Sequence, residues 1–256
     1  GQSGDWFGHP RGLTILAATE MWEVFSFVGM RTLLVYYMIG DLGFSQAKAS
    51  LVYGSYTGFA YFAPIIGAII CDLWLGKRRS VLFGGLLMSL GHFLLVFPDL
   101  FAPALVAVGL GAGLYLPALP SQIAQLYHAR DPRRSWAYNS YYMGMNGGAL
   151  LAPLVCGTLG EMLGWHWGFG AAGIGMLIGV AVYAAGSRYL PADDIRPRAM
   201  TSRDAAERGA RHSTGAWRQL GLIAIVALFV IIYRSANEQT GNTLPCNIKM
   251  LVEGEE

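Results

Sequence analysis

Seven apolar segments follow one another along the chain, each about as long as the roughly 20 residues that a helix needs to cross a bilayer. The segments are Leu13–Ile39, Ala49–Leu75, Ser80–Phe97, Ala104–Tyr127, Trp136–Met162, Trp167–Tyr189 and Trp217–Ala236. Several contain Gly or Pro, notably the sequence LPALP in the fourth. Such breaks suit helices that bend around a cavity, and a simple packing kink explains them equally well. The pattern predicts an all-α membrane protein.

Basic residues are concentrated in alternate loops between these segments. Three cations at 77–79 follow the second segment, three arginines within 130–134 follow the fourth, and an arginine-rich stretch over 188–218 follows the sixth. Cytoplasmic loops of membrane proteins carry the excess of Lys and Arg. We therefore predict that the N-terminus and these loops are cytoplasmic, with Trp165 and Trp167 in an aromatic belt at the outer interface.

The membrane pattern is interrupted by a polar stretch after six segments. Residues 1–190 form the predicted N-terminal six-helix bundle, 191–216 a cytoplasmic linker, 217–243 a seventh transmembrane helix, and 244–256 an atypical tail. The residues after the seventh segment are too few for a second bundle, so we expect the chain to be cut short.

The composition supports a membrane protein and excludes other classes. Of the 256 residues, 54% are hydrophobic and only 13% are charged, which is too apolar for an ordinary soluble domain. The net charge of +2 gives no reason to expect a nucleic-acid partner. The cysteines match neither metal-ligand nor redox spacing, so we predict no metal and no cofactor. Because no catalytic motif is present, we do not expect an enzyme.

The first segment carries charged residues at the depth where charge is most costly. Glu20 and Glu23 are three residues apart, and Phe27 and Arg31 continue at four-residue steps, so all four share one stripe of the helix. An ionisable residue at bilayer depth costs about 2.5 to 3.5 kcal/mol on insertion scales. We expect the stripe to face a wet interior lined by neighbouring segments, as a proton or substrate path. A buried structural ion-pair network is the alternative.

Further polar side chains lie in the other segments. Glu238 and Gln239 lie near the end of the seventh segment. Their presence is explained equally well by contacts with a proton or a solute and by an interfacial position without a functional role. Tyr61 and Asn146 lie near the middle of the second and fifth segments. A single polar residue at such a position more often forms a hydrogen bond between two helices than it binds a solute. His92, in the outer half of the third, is expected to be hydrogen-bonded or interfacial.

A compact charged motif marks the cytoplasmic end of the second segment. Asp72 is followed by Gly76 and then by Lys77, Arg78 and Arg79. A carboxylate at a helix end, a glycine turn and three cations suit a gate whose charge pairs lock neighbouring helices and break when the bundle rocks. A plain cytoplasmic anchor would explain the cations but not the spacing of the acid and the glycine.

Taken together, these motifs resemble those of the proton-dependent oligopeptide transporters, a branch of the major facilitator superfamily. The stretch ATEMWEVFSFVGMRTLLVYYM in the first segment is similar to the family's ExxERF signature and the YYGMR segment after it. The DxxxGKRR motif at 72–79, the fifth segment from YYMGMNGGALLAP onward and SANEQTGNT in the seventh also match. The resemblance implies a six-helix bundle of inverted 3+3 repeats plus one further helix, in the bacterial inner membrane.

In that family a central cavity binds di- and tripeptides by their termini and couples their uptake to protons. The resemblance therefore implies that the partners are small peptides, protons and the lipid bilayer. The proton-coupling residues it implies are Glu20, Glu23 and Glu238. The substrate-binding residues it implies are Arg31, which would face the peptide carboxylate, Tyr61, Asn146, Glu238, which would face the peptide amine, and Gln239.

Several positions depart from the family pattern, always toward apolar side chains. They are Val24, Phe27, Val28, Leu116 and Ala118. Val24 stands where the signature has its arginine, and Phe27 and Val28 stand where two tyrosines follow. Leu116 and Ala118 stand where the fourth helix has the lysine and asparagine of a KPN context. Glu20 and Glu23 thus lack their nearest cation, and the cavity lacks a positive charge. We expect proton-coupled peptide uptake to be weak or absent.

Two other functions stay compatible with the sequence. One is a non-transporting binding or interaction module, a decayed or engineered half-transporter; the other is a transporter of a more apolar solute, for which the replaced positions would form the lining. Alternating access needs a second bundle that rocks against the first. The chain would therefore act through self-association or through a missing C-terminal bundle.

Overall fold

The computed structural model describes residues 5–6, 8–128, 131–192 and 229, most of which are helical. The chain divides into two compact units, Gly1–Ile195 and Arg196–Glu256, and the second is described only at the helical Phe229. The helices of the first unit are α1 (Arg11–Gly40), α2 (Gln46–Ile70), α3 (Lys77–Leu94), α4 (Phe101–Leu126), α5 (Arg133–Ala152), α6 (Thr158–Leu163) and α7 (Trp165–Gly186).

Short elements extend and connect these helices. A π-helical turn at Cys71–Leu75 prolongs α2, and another at Pro153–Gly157 joins α5 to α6, so that α5 and α6 form one span. An antiparallel hairpin, β1 (Asp5–Trp6) and β2 (His9–Pro10), leads into α1.

Six of the predicted spans fall within the described residues, and all six are helical. The first, second, fourth and sixth are long and apolar enough to cross a membrane. The third and fifth are more polar, because α3 begins with three cations and α5 begins with two arginines and carries several polar side chains. The predicted seventh helix and tail, with Glu238 and Gln239, and nearly all of the predicted linker lie outside the described residues.

The packing of the helices repeats between the two halves of the bundle. α1 packs against α5 and α7, α4 packs against α2 and α3, and α3 packs against α7. Exchanging the first three spans with the last three turns the two contacts of α1 into the two contacts of α4, and it leaves the contact between α3 and α7 unchanged. Because three is an odd number of membrane crossings, the two halves run in opposite directions. The arrangement is that of inverted repeats.

Glycine allows two equivalent helix crossings to become very close. A Cβ atom added to Gly67 of α2 would lie 2.0 Å from the carbonyl oxygen of Gly113 in α4. A Cβ atom added to Gly148 of α5 would lie 2.2 Å from the carbonyl oxygen of Met21 in α1. The two crossings correspond under the exchange of halves, and small residues permit such close approach of membrane helices.

The cationic helix ends meet at one end of the bundle. Arg78, in the first turn of α3, donates from Nη2 to the Leu190 carbonyl beyond α7 over 2.7 Å. Arg133, at the start of α5, donates from Nη1 to the Gly8 carbonyl of the N-terminal hairpin over 3.0 Å. Its hydrogen bonds to Asp131 also hold the pKa of that carboxyl below its ordinary value. The N-terminus and the loops after the second, fourth and sixth spans thus share one side, as the charge pattern predicts.

Aromatic rings gather at the opposite end. The Tyr37 ring of α1 lies 5.1 Å from Phe169, 6.0 Å from Phe101 and 6.5 Å from Trp165, measured between centroids. Trp167 is exposed beside them. Amphipathic rings favour the membrane–water boundary, so this end corresponds to the predicted outer aromatic belt.

Candidate proton and solute site

Glu20 and Glu23 lie inside the bundle rather than on its lipid-facing surface. Each has only 3% of its surface exposed. The Tyr141 side chain of α5 is close enough to the Glu20 carboxyl group for the two to interact, and the carboxyl atom Oε2 is buried with no hydrogen-bond partner in the described part of the chain. Protein surrounds this side of α1, as predicted. The pair is nevertheless enclosed, whereas the sequence pattern led us to expect an opening onto a wet interior.

Buried tyrosines surround this acidic pair, and we call Tyr115, Tyr141 and Tyr183 the tyrosine layer. Tyr115 of α4 donates to the backbone oxygen of Thr19 over 3.3 Å and is close enough to both glutamates to interact with them electrostatically. Tyr183 of α7 donates to Oε1 of Gln122 over 2.9 Å. All three rings are at most 4% exposed. The acidic pair thus lies among tyrosine side chains, of which Tyr115 and Tyr141 are close enough to both glutamates to interact with them electrostatically.

Arg31 lies further along α1 and is held by α2. Its Nε donates to the Tyr53 hydroxyl over 3.1 Å, and its Nη2 donates to the same oxygen. The guanidinium lies over the rings of Phe27 and Tyr53, 5.5 and 5.3 Å from their centroids. Tyr56, one turn along α2, interacts electrostatically with both Arg31 and Glu23. The cation and the acidic pair therefore belong to one connected region between α1 and α2.

The positions that depart from the expected pattern supply packing. They are the partly buried Val24, Phe27, Val28 and Leu116, and the buried Ala118. Phe27 and Leu116 pack against the central core. The Ala118 backbone oxygen accepts from Nε2 of Gln122 over 3.3 Å. None of these five side chains can donate a hydrogen bond to a carboxylate.

Tyr61 and Asn146 lie outside the tyrosine layer, on exposed faces of α2 and α5. Half of the Tyr61 surface is exposed. Asn146 is exposed and donates from Nδ2 to the backbone oxygen of Tyr142 over 2.9 Å. A cavity of about 290 Å³ lies beside α1, but it is lined by apolar groups, including Trp22 and Phe25, and offers nothing to hold the charged ends of a peptide.

Comparison with known proteins identifies the family. A model described as the POT family matches residues 78–206, about half of the chain. The chain belongs to the POT family. It is therefore an integral membrane protein of the major facilitator type, and its bacterial relatives place it in the inner membrane.

Named relatives and a solved structure agree with this assignment. The chain is 42% identical to the uncharacterized transporter YclF of Bacillus subtilis, over 70% of this chain and 38% of that protein. It is 40% identical to the peptide transporter YePEPT of Yersinia enterocolitica, over 69% of this chain and 37% of that protein. The crystal structure of a peptide transporter POT in complex with sulfate matches with a TM-score of 0.73 and 34% identity, over 91% of this chain and 48% of that chain. The chain thus spans less than half the length of each.

His92 of this POT-family chain departs from its prediction. It is fully buried, and neither ring nitrogen has a hydrogen-bond partner in the described part of the chain. The expectation of a hydrogen-bonded or interfacial histidine is wrong, because α3 is packed tightly there between α4 and α7. The neighbouring Gly91 would clash with Val108 if it carried a Cβ, and Ser89 donates to the Gly173 carbonyl over 3.0 Å.

The charged motif after α2 forms a sharp turn. Gly76 has φ 75°, a left-handed conformation that favours glycine, and it separates the π-helical turn from α3. Asp72 and Arg79 are exposed, whereas Lys77 and Arg78 are partly buried. Arg78 fastens this turn to the Leu190 carbonyl at the end of the sixth span. A role as a gate stays a prediction.

Replacing Arg78 with alanine should destabilise the bundle by roughly 1.5 to 3 kcal/mol, the usual contribution of a hydrogen bond to a charged group. The matched control is Arg79→Ala, which removes the same charge from an exposed position. Thermal unfolding of the purified protein in detergent measures both. Equal losses in the two variants would show that charge, rather than the bond to Leu190, matters here.

The sequence pattern did not single out Tyr53, Tyr56, Tyr115 or Tyr141. Tyr53 and Tyr56 are three residues apart and therefore lie on one helical face, which is a weak signal for a shared role. Tyr115 and Tyr141 carry no such signal, because their neighbours on α1 are distant in sequence. Only the packing of α4 and α5 against α1 identifies them as part of the site.

Proposed function

We propose that this chain is the N-terminal bundle of a proton-coupled symporter of di- and tripeptides, in which Glu20 and Glu23 carry the coupling protons. The observation that supports this most strongly is the burial of both carboxyl groups within the bundle, beside a layer of tyrosine hydroxyls. Ionisable groups at membrane depth that face protein are characteristic of proton relays. The peptide transporter among the relatives supports the substrate class.

Arg31 is the proposed contact for the peptide carboxylate. A guanidinium group presents several donors in a fixed plane and suits a carboxylate. The Tyr53 hydroxyl and the two stacked rings fix this plane before a peptide arrives. We place Tyr61 and Asn146 on the surface that faces the solute, because both are exposed. Glu238 and Gln239 lie outside the described residues, and their proposed roles toward the peptide and the proton rest on the resemblance of SANEQTGNT to the family's seventh helix.

The transport cycle requires a second bundle. Alternating access arises when one bundle rocks against another around a central site. A C-terminal bundle, or a second copy of this chain, would provide that partner. The exposed Asp72 and Arg79 of the charged motif are then available for charge pairs that open and close during the cycle.

Proton coupling is proposed to be weak in this protein. Val24 lies one turn from Glu20, so α1 provides no cation at that position to stabilise the carboxylate when its proton leaves. Leu116 likewise supplies an apolar side chain where a cation would attract a carboxylate. Without such a cation, a buried carboxyl group gains little from releasing its proton. The apolar replacements therefore favour a site that stays protonated.

Restoring the cations tests this proposal. Dipeptide uptake by proteoliposomes under an inward proton gradient should be low for the natural protein and higher for Val24→Arg with Leu116→Lys. The control is Val24→Leu with Leu116→Ile, which keeps both positions apolar and should change little. High uptake by the natural protein would refute weak coupling. No uptake by any variant would favour the non-transporting module, and thermal stabilisation by apolar but not by charged peptides would favour an apolar solute.

A further inference from the structure

We propose that the N-terminal hairpin is a strap that holds the cationic ends of α1, α4 and α5 together and thereby closes this end of the bundle beneath the acidic pair. The hairpin consists of β1 and β2 and leads directly into α1. The proposal rests on the proposed function of Glu20 and Glu23, because it assigns to the hairpin the control of access to their protons from this end.

Arg133, the first residue of α5, fastens the hairpin to that helix. Its Nη1 donates to the Gly8 backbone oxygen over 3.0 Å and lies 3.4 Å from Oδ2 of Asp5. The same guanidinium donates from Nη2 to Oδ2 of Asp131 over 2.9 Å, and the Arg133 backbone N–H donates to Oδ1 of Asp131 over 2.9 Å. A planar fork of donors can hold two partners at once. Asp131 therefore orients the donor that reaches the hairpin.

His9 and Arg11 fasten the hairpin to two further spans. His9 Nδ1 and the hydroxyl of Tyr127, just beyond α4, share a hydrogen bond of 2.9 Å. The Arg11 guanidinium lies 5.3 Å from the centroid of the Trp6 ring and 5.5 Å from that of Tyr189, which follows the sixth span. A cation attracts the face of an aromatic ring at such distances. The hairpin and the start of α1 thus contact the ends of the fourth, fifth and sixth spans.

The helices that the hairpin joins are those that surround the acidic pair. Glu20 lies nine residues from the start of α1, Tyr141 eight residues from the start of α5, and Tyr115 eleven residues from the end of α4. At the helical rise these side chains are about 12 to 17 Å from the ends that the hairpin joins. Water could reach the pair from this end only if the three helices separated there. A strap across all three ends accounts for the enclosure of the pair.

The contacts of Arg133 are suited to a closure that can open. The side chains of Arg133 and Asp5 are 48% and 32% exposed. Charge pairs that water can reach contribute little to stability, because solvent screens them. The hairpin can therefore leave the helix ends and return to them without disruption of the buried core.

Hydrogen–deuterium exchange of the full chain in lipid nanodiscs, measured at the end of α4 and in the first turns of α5, tests the closure. Arg133→Ala should raise the exchange rates there about two- to fivefold, as expected when an exposed charge pair is lost. Addition of His9→Phe should raise them further. The matched control is Arg134→Ala, which removes the same charge at the next position of α5, leaves the contacts of Arg133 in place and should not change the rates.

Access of solvent to the acidic pair provides a second measurement. A water-soluble carbodiimide modifies carboxyl groups that solvent reaches, and mass spectrometry of the peptide containing Glu20 and Glu23 gives the modified fraction. Modification should be slow in the natural protein and in Arg134→Ala, and it should be faster in Arg133→Ala. A hairpin that only stabilises the helix ends would change the exchange rates and not this modification.

Unchanged exchange in Arg133→Ala, an equal rise in Arg134→Ala, or faster exchange without faster modification of the pair would overturn the proposal. Should Arg133→Ala fail to fold, His9→Phe alone tests the same closure from the α4 side. Neither measurement needs transport. Faster exchange and modification in a protein that takes up no peptide would therefore reject the proposed function while retaining the strap.

Discussion

Replacing Gly67 with alanine is expected to destabilise the bundle strongly, because the added methyl group would occupy the space of a neighbouring backbone. The new Cβ would lie 2.0 Å from the Gly113 carbonyl oxygen and 2.4 Å from its carbon. Backbone atoms cannot rotate away as a flexible side chain can, so α2 and α4 must separate. Overpacking costs typically about 1 to 3 kcal/mol, and we expect the upper part of this range.

The thermal unfolding midpoint in detergent measures this effect. Gly58→Ala is the matched control, since it lies on the same helix and no atom lies within 4 Å of its added Cβ. The inverted repeats predict a second pair with the same contrast: Gly148→Ala should be destabilising, whereas Gly147→Ala, whose Cβ would meet its nearest atom at 4.0 Å, should not be. Similar midpoints within each pair would contradict the close crossings.

Replacing Arg31 with glutamine should remove the preference of the site for a peptide with a free carboxylate. A hydrogen bond to a charged group contributes about 1.5 to 3 kcal/mol, and each 1.4 kcal/mol is about a factor of ten in affinity. The natural protein should therefore bind a dipeptide roughly 10- to 100-fold more tightly than the same dipeptide with an amidated C-terminus. Arg31→Gln should bind the two equally.

Calorimetric titration with the two peptides measures this preference. Arg79→Gln is the control, because it makes the same chemical change at an exposed position in the charged motif. An undiminished preference in Arg31→Gln would mean that a different cation contacts the carboxylate. Tyr53→Phe should fall between the natural protein and Arg31→Gln, since it keeps the cation and removes the hydroxyl that holds it.

The helices could be predicted from the sequence because long apolar segments report directly on burial in lipid. The spacing of Glu20, Glu23 and Arg31 likewise places them on one face of a single helix before any tertiary contact is known. Gly76 is signalled by its position between a helix end and a run of cations, and the structure shows the left-handed turn there.

The surroundings of these residues could not be predicted in the same way. Glu20 and Tyr141, which interact electrostatically, belong to two helices distant in sequence, and no periodicity reveals the close glycine crossing of those helices. The same reason explains why a wet interior was expected: the acidic stripe indicates polar surroundings but does not distinguish water from tyrosine hydroxyls. For His92 the error has the opposite direction. A histidine suggests a hydrogen-bonded or interfacial position, and the sequence gave no sign that its ring would be buried without a partner.

The central claim is that buried Glu20 and Glu23 bind the protons that move with a peptide. The most direct measurement is the acidification of proteoliposomes, read by a pH-sensitive dye trapped inside, when a dipeptide is added outside. We predict slow acidification for the natural protein, faster acidification for Val24→Arg with Leu116→Lys, and none when Glu23→Gln is added to either. Acidification that persists with Glu23→Gln, or peptide entry without any acidification, would contradict the account.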